Sequence, residues 1–455
     1  MSGETVRAPG APEEVLGRGA REGKRLFQAW FAELGRAAER EEPTAYVFVM
    51  GSLVELLRSF DLHIVFPEIN SLQTAVRKVS AEYLSLAEDH GFSPDVCGYV
   101  KADYALQLRG GEHPMGRIPP PSLAVLTNAC NTYIKWAEIW ERLYRVPIFT
   151  LDVPMTRAPI QLVRSGQRGD GPPPPAPPTR ADRRYVEGQL RELIGVCEEV
   201  TGRRFDIDRL REILQATNEM GRQWRSLQEA NRNVPAPFDA MLEGTIYLGV
   251  ANGLRGTPEG VSYFQELREE MSLRIRDGLG PLGKPATERH RLLFVGVPCY
   301  PIFRRFYELF TEWGGTFATS TYTWFASGGL DEPVEYDLRR PIESLAEGLL
   351  SGVRRATDSM LFQDAAMLEA IDGYRLDGVV YHPVKSCRTV STGLASSRRR
   401  VLERRDVQCL YLESDMMDQR VVSEAQMKNR IDAFFEGLES RKRRLAAAPG
   451  SAAAG

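Results

Sequence analysis

The chain has 455 residues, 43% of them hydrophobic and 26% charged, and its 58 basic and 61 acidic side chains leave a net charge of −3. That length predicts two or three domains, and the near balance of charge excludes the one-sign field of a nucleic-acid or anionic-membrane binder. No window approaches 18 uncharged apolar residues and the charge-dotted N-terminus has no apolar signal core, so the expectation is a cytoplasmic protein with no membrane span and no nucleic-acid partner.

A charged helical leader, about Pro12–Arg40, comes first and defines a unit over residues 1–43. "AYVFVM", the turn Gly51-Ser52, the helical "LVELLRSF" and the strand-like "HIVF" then make a βαβ unit with parallel strands. A helix over "SLQTAVRKVSAEYLSLAEDHG" ends at Gly91 and is followed by Cys97, a helix through Leu108 and a Gly/Pro-rich turn. Strand 123–127, Cys130, helix 131–145 and strand "VPIFTLDV" complete a first α/β lobe, assigned to residues 44–165.

"GQRGDGPPPPAPPTR", residues 166–180, reads as a stiff Pro-rich linker or loop. Residues 181–290 read as helical, from apolar residues at three- and four-residue spacing in three stretches: 185–202, 206–232 and 260–278. A second α/β lobe, residues 291–438, repeats the first plan. Strand 292–297, helix 301–313 and strand 316–320 precede a helical region (341–370), strand 377–382, Cys387, a helix of about 391–405 and the strand "VQCLYLES". Residues 439–455, with "SRKRR" before an Ala-rich end, read as a disordered tail. "GLGPLGKPA" (278–286) comes within one residue of a phosphate-binding loop. Pro285 stands where a magnesium-binding hydroxyl is required and no clear strand precedes Gly278, so it is expected to be a decoy.

Six cysteines are present and no CxxC pair. The bland reading is six reduced, buried thiols that pack as small apolar groups. A disulfide framework has no support in a large chain without a secretory signal, and zinc would want closely spaced pairs. Placement is more informative than number. Cys130 and Cys387 each follow the carboxyl end of a strand, the edge where ligands bind in parallel sheets, and Cys97 opens a helix in "SPDVCGYVKAD". An iron–sulfur cluster needs thiolates without a compact motif, so three converging thiols are compatible with one.

Those cysteines, with "FPEIN", "HPVKSC" and "ESDMMDQRVVSEAQMKNRIDAFFEGL", resemble the benzoyl-CoA reductase / 2-hydroxyacyl-CoA dehydratase family from about Tyr46 to Leu438. The likeness is densest in "GSLVELLRSFDLHIVFPEINSLQTAVRKVSAEYL…DVCGYVKADYALQ", which resembles the larger cluster-bearing subunit of the family's ATP-dependent reductases. The resemblance implies an α/β fold of two Rossmann-like parallel-sheet lobes facing across a cluster-binding cleft, beside the helical middle and leader. It also implies one [4Fe-4S] cluster held by Cys97, Cys130 and Cys387, with Cys197, Cys299 and Cys409 left as packing residues.

The partners implied are a smaller homologous subunit, an acyl-CoA substrate, an ATP-hydrolysing activator with its own cluster, and a ferredoxin upstream; ATP would be bound by the activator alone. The chemistry implied is reductive dearomatisation of an aryl-CoA. The alternatives are radical dehydration of a 2-hydroxyacyl-CoA through a ketyl, or a non-catalytic electron-relay or structural subunit. Near the cluster, Glu68 is a candidate proton donor or acceptor, with helix capping as its structural alternative. Ser52 is a candidate contact to an iron ligand or thioester oxygen, with N-capping as the alternative; His382 is a candidate proton carrier. Lys385 is a candidate contact to the cluster charge or a CoA phosphate. Asp415, Asp418 and Arg420 are expected to form structural ion pairs, and Trp136 and Trp140 to pack in a core or subunit contact.

Overall fold

The computed structural model describes residues 17–155, 177–282, 288–330, 335–362 and 364–447. Most of the Pro-rich stretch, residues 283–287 of the loop-like "GLGPLGKPA" and the last eight residues of the chain lie outside them.

The leader is helix α1 (Arg18–Arg40), whose buried stripe Trp30, Phe31, Leu34 and Ala37 follows helical spacing while the rest of its surface carries charge. The first sheet has strands β1 (Thr44–Val47), β2 (His63–Val65), β5 (Leu123–Thr127) and β6 (Ile148–Leu151), all parallel, in the order β2-β1-β5-β6. A two-residue hairpin, β3 (Glu112–His113) with β4 (Gly116–Arg117), fills the Gly/Pro-rich turn. Every residue of β1 and β5 is buried, as expected of parallel strands covered on both faces. Around the sheet run α2 (Val54–Arg58), α3 (Pro67–Val76), α4 (Ser80–Asp89), α5 (Gly98–Leu108) and α6 (Asn131–Tyr144). The single helix expected over 71–91 is thus two, broken where Lys78 adopts a left-handed φ of 62°.

The middle segment contains α7 (Arg180–Thr201), α8 (Ile207–Ala230), α9 (Leu242–Gly253) and α10 (Pro258–Arg276). Helix α9 lies outside the three stretches read as helical. Its sequence is apolar on nearly every side, with Gly244, Tyr247, Leu248, Val250 and Ala251 buried, so it shows little amphipathic period. Gly278 follows α10 rather than a strand, so the loop-like stretch lacks the entry a phosphate-binding loop needs.

The second sheet is also parallel, with β7 (His290–Gly296), β8 (Gly315–Ser320), β9 (Gly378–His382) and β10 (Gln408–Tyr411) in the order β10-β9-β7-β8. Its helices are α11 (Phe303–Thr311), entered through a 3-10 turn at Tyr300–Ile302, α12 (Thr321–Phe325), α13 (Pro341–Phe362), α14 (Asp364–Gly373), α15 (Arg388–Ser391), α16 (Leu394–Arg404) and α17 (Glu424–Ala447). Helix α17 corrects the expected tail, because residues 439–447 are helical. Arg441 pairs with Asp406 at 3.1 Å and Lys442 with Asp377 at 3.0 Å, which anchors the basic run to the second lobe.

One hydrophobic cluster joins the first sheet, the helical middle and the facing part of the second lobe, including Tyr300, Tyr322, Leu349, Val353 and Met417. Two smaller clusters cover the two faces of the second sheet. The lobes therefore meet through a packed interior. Gly98 shows how closely: a Cβ there would lie 2.6 Å from Cβ of Met417 in the opposite lobe, so only glycine fits.

Candidate functional site

Cys97, Cys130 and Cys387 occupy the same local position, the residue immediately before a helix (α5, α6 and α15), and none caps its helix through an oxygen side chain. The first-turn amides of Tyr99 and Val100 instead point at the Cys97 sulfur, and those of Thr389 and Val390 at the Cys387 sulfur. Amide donors aimed at sulfur favour a thiolate or an anionic group bound by it.

The three turns converge. Cys130 Sγ lies 3.3 Å from Thr389 Oγ1 on the turn after Cys387, and the Gly98 amide donates to Ser386 Oγ at 3.4 Å. Burial, then the charge of Cys387 and of Cys130, pushes the Cys97 thiol well up. Burial pushes Cys387 up to about 12, with Cys130 adding to the rise. Three partly exposed thiols that repel one another when ionised are poised to share a cationic group.

Their spread limits what that group is. Among the described residues only Glu33, Glu42 and His63 bring three ligand atoms within 4.8 Å of one another, so the three cysteine sulfurs do not all lie that close together. Two sulfurs on a single zinc ion, each at about 2.3 Å, can be at most about 4.6 Å apart. Three thiols backed by helix amides are a donor set of the kind that iron–sulfur groups use. Cys197, Cys299 and Cys409 are packed inside or against the hydrophobic clusters.

A buried frame holds the turns. Asp103 on α5 accepts from the indole nitrogens of Trp136 and Trp140 on α6, at 2.7 and 2.8 Å, and so locks the helix of Cys97 to that of Cys130. Asp415 accepts from the Ser386 amide at 2.9 Å and from the amides of Met417 and Asp418. It is a backbone brace for the Cys387 turn and not the ion-pair member expected, whereas Asp418 and Arg420 do pair at 2.8 Å. Arg420 also grips both oxygens of Glu88 on α4, and Lys101 on α5 adds a bond at 2.9 Å, so a charged clamp crosses the lobes.

Beside the thiols lies Glu68, in the first turn of α3. Its Oε1 accepts from the Tyr133 hydroxyl at 2.6 Å and its Oε2 from the Val49 amide at 2.7 Å, so it binds the end of β1 and does not cap its own helix. Burial pushes its carboxyl up to about 7, against the lowering effect of those two bonds. Tyr133 stacks on Phe48 with ring centroids 3.8 Å apart, and it feels Glu68 on one side and Cys130 and Cys387 on the other.

Three other predicted residues fall elsewhere. His382 is fully buried, and its Nδ1 donates to the Val297 carbonyl at 2.6 Å while Nε2 accepts from Ser414 Oγ at 2.6 Å. Burial lowers it to about 4, so it is a neutral brace with no nitrogen free, a correction to its expected role as proton carrier. Ser52 does not cap α2, whose cap position is Leu53; its buried hydroxyl has no partner and faces Gly328 in a small glycine-lined niche. Lys385 is exposed, with Glu413 at 4.0 Å.

A cleft of about 1110 Å³ opens between α1, α3 and α9 on one side and α11 and α12 on the other. Exposed cations (Lys24, Arg77, Arg304) stand on it, and Ile69, Leu72, Tyr300 and Tyr322 form its buried part. The tyrosines of this region were not foreseeable as a group, because they come from four distant elements; the one local signal was Tyr99 and Tyr133 lying two and three residues after a ligand-candidate cysteine.

Two parallel-sheet lobes bring three thiols, each at a helix start, toward one another where the lobes meet. The chain belongs to the family described as 2-hydroxyglutaryl-CoA dehydratase, D-component, whose profile matches residues 51–438. It is 33% identical to a benzoyl-CoA reductase subunit of Thauera aromatica over 92% of this chain and 94% of that one. It is 25% identical to the (R)-2-hydroxyisocaproyl-CoA dehydratase alpha subunit of Clostridioides difficile, over 92% and 95%. With the alpha subunit of (R)-2-hydroxyglutaryl-CoA dehydratase of Acidaminococcus fermentans the identity is 23%, over 90% and 94%.

Proposed function

We propose that this chain is the iron–sulfur subunit of an acyl-CoA-processing complex, and that its reaction is the reductive dearomatisation of benzoyl-CoA or a related aryl-CoA. The observation that carries the reading is the convergence of Cys97, Cys130 and Cys387 at three helix starts, in a chain that also holds a large, mainly apolar cleft. The 33% identity to a benzoyl-CoA reductase subunit, against 25% or less to the dehydratase subunits, favours the aryl substrate. Radical dehydration of a 2-hydroxyacyl-CoA is the second reading, supported by those same dehydratase relatives.

The three thiolates would hold a [4Fe-4S] cluster, which supplies electrons at potentials that reach about −700 mV in such groups. The chain's own residues bind, orient and manage protons. Exposed Lys24, Arg77 and Arg304 offer positive charge to the phosphates of a CoA moiety, and the apolar part of the cleft takes the acyl end and excludes water. Glu68, poised near neutral pH beside Tyr133, can hold and release a proton at Oε1 or Oε2. ATP hydrolysis and the upstream ferredoxin belong to separate proteins, and the second, homologous subunit completes the complex. The purified chain alone is therefore expected to turn over no ATP.

The test is the electron demand of the anaerobically reconstituted complex. With benzoyl-CoA, electrons consumed in proportion to product support the reductase; turnover of a 2-hydroxyacyl-CoA with only catalytic electrons would replace it with the dehydratase. No spectral response to either acyl-CoA would leave a relay subunit.

A further inference from the structure

One residue of the second lobe addresses two of the three thiols. Thr389 lies in α15, two residues after Cys387, and its amide points at the Cys387 sulfur. Its hydroxyl reaches the other lobe, where Oγ1 lies 3.3 Å from Cys130 Sγ. The contact joins two turns that are 259 residues apart in the chain.

A threonine in a helical turn commonly directs its hydroxyl back to a carbonyl three or four residues earlier. Thr392, three residues on, does so, its Oγ1 donating to the Arg388 carbonyl at 2.6 Å. Thr201, Thr245 and Thr357 behave in the same way on longer helices. The Thr389 hydroxyl instead has the Cys130 sulfur as its hydrogen-bond partner. Its direction is set by the facing lobe and not by its own turn.

Which atom donates depends on the state of the sulfur. A free thiol can give its proton to Oγ1, since a hydroxyl also accepts. A thiolate that ligates a metal group has no proton, so the hydroxyl must then be the donor. The same geometry serves both states, which a methyl group in place of the hydroxyl could not. Hydrogen bonds to the sulfurs help to set the potential of an iron–sulfur group, because they favour the form with more negative charge. We propose that Thr389 tunes the thiol site: its hydroxyl donates to the Cys130 thiolate across the lobe interface and raises the reduction potential of the iron–sulfur group. This rests on the cluster reading above. Thr389 is a positioning residue that acts through Cys130 and touches no substrate.

The experiment is a redox titration followed by EPR on the full chain, purified without oxygen and reconstituted with iron and sulfide. Thr389→Val keeps the side chain's shape and removes the donor, so its midpoint is expected below that of wild type. At a fixed potential the ratio of reduced to oxidised group should fall about three- to ten-fold, the range for one lost hydrogen bond. That is a shift of about 30–60 mV for one electron. Thr389→Ser, which keeps the hydroxyl, should stay near wild type. Thr392→Val, whose hydroxyl serves the Arg388 carbonyl, should do the same. If Thr389→Val does not hold iron, Thr389→Ser and Thr389→Ala differ by the hydroxyl alone and make the same comparison. Equal midpoints with and without the hydroxyl, or a midpoint that rises on its removal, would overturn the proposal. A wild-type chain that takes up no iron or sulfide would contradict the cluster reading itself.

Discussion

Glu68 and Glu88 sit on consecutive helices of the first lobe, α3 and α4, and both face the second lobe, yet the same kind of group ends in opposite states. Glu88 meets Arg420 and Lys101, and the Arg420 guanidinium holds it down to about 2. Glu68 meets phenols and an amide, and burial holds it up to about 7. The lobes are thus joined by a charged clamp at Glu88, whereas Glu68 lies among a phenol, an amide and buried side chains. That contrast is what a site needs if it is to be rigid and also able to move a proton near neutrality.

The largest expected effect is on Glu68. A carboxyl raised from 4.5 to about 7 binds more protons folded than unfolded between those values, so stability falls as pH rises through that window. The full loss is about 3 kcal/mol, and Glu68→Gln should flatten it. Denaturant midpoints at pH 4.5, 6 and 7.5 measure both; a wild-type curve without that slope would place Glu68 in a wetter environment.

Glu88 should show the reverse sign. With its value depressed, its contribution is complete above the ordinary carboxyl range and disappears as pH falls toward about 2. Because Arg420 is substantially exposed, Glu88→Gln is expected to cost only about 1–2 kcal/mol at pH 7. The variant should also lose less stability than wild type between pH 4.5 and 2.5.

A smaller effect sharpens the Glu68 side. Tyr133→Phe removes the donor that stabilises the ionised carboxylate, so the midpoint of Glu68 ionisation should rise by about one unit or less. Carboxyl infrared bands followed through pH 6–8.5 would show it, and a midpoint that fell would contradict the assigned direction. Least of all, Lys385→Met should change stability by less than about 0.5 kcal/mol, because its 4.0 Å pair with Glu413 is solvated. A larger loss in thermal unfolding would mean that Lys385 has a partner beyond Glu413.

Much of this was legible in the sequence, for reasons that particular residues make plain. Buried parallel strands such as Leu123–Thr127 are uninterrupted apolar runs, and a cysteine just past such a run stands at the ligand-binding edge of a sheet. Adjacency misled at His382: being five residues from Cys387 says nothing of depth, and β9 buries it completely. Helix α9 escaped because a helix apolar on nearly every side has little amphipathic period, and residues 439–447 because their basic run is anchored by Asp377 and Asp406, far away in the chain. The phenols of the cleft share no spacing at all, since Tyr99, Tyr300 and Tyr322 meet only once the lobes close on each other.

The central claim is that three distant sulfurs grip one iron–sulfur group, and the direct measurement is an iron and acid-labile sulfide count with EPR on anaerobically purified protein and its Cys97→Ser, Cys130→Ser and Cys387→Ser variants. The account predicts about four irons and as many sulfides per chain, with a reducible signal that each substitution abolishes or sharply depletes. Iron-free wild-type protein, or a full complement of iron surviving all three substitutions, would contradict it.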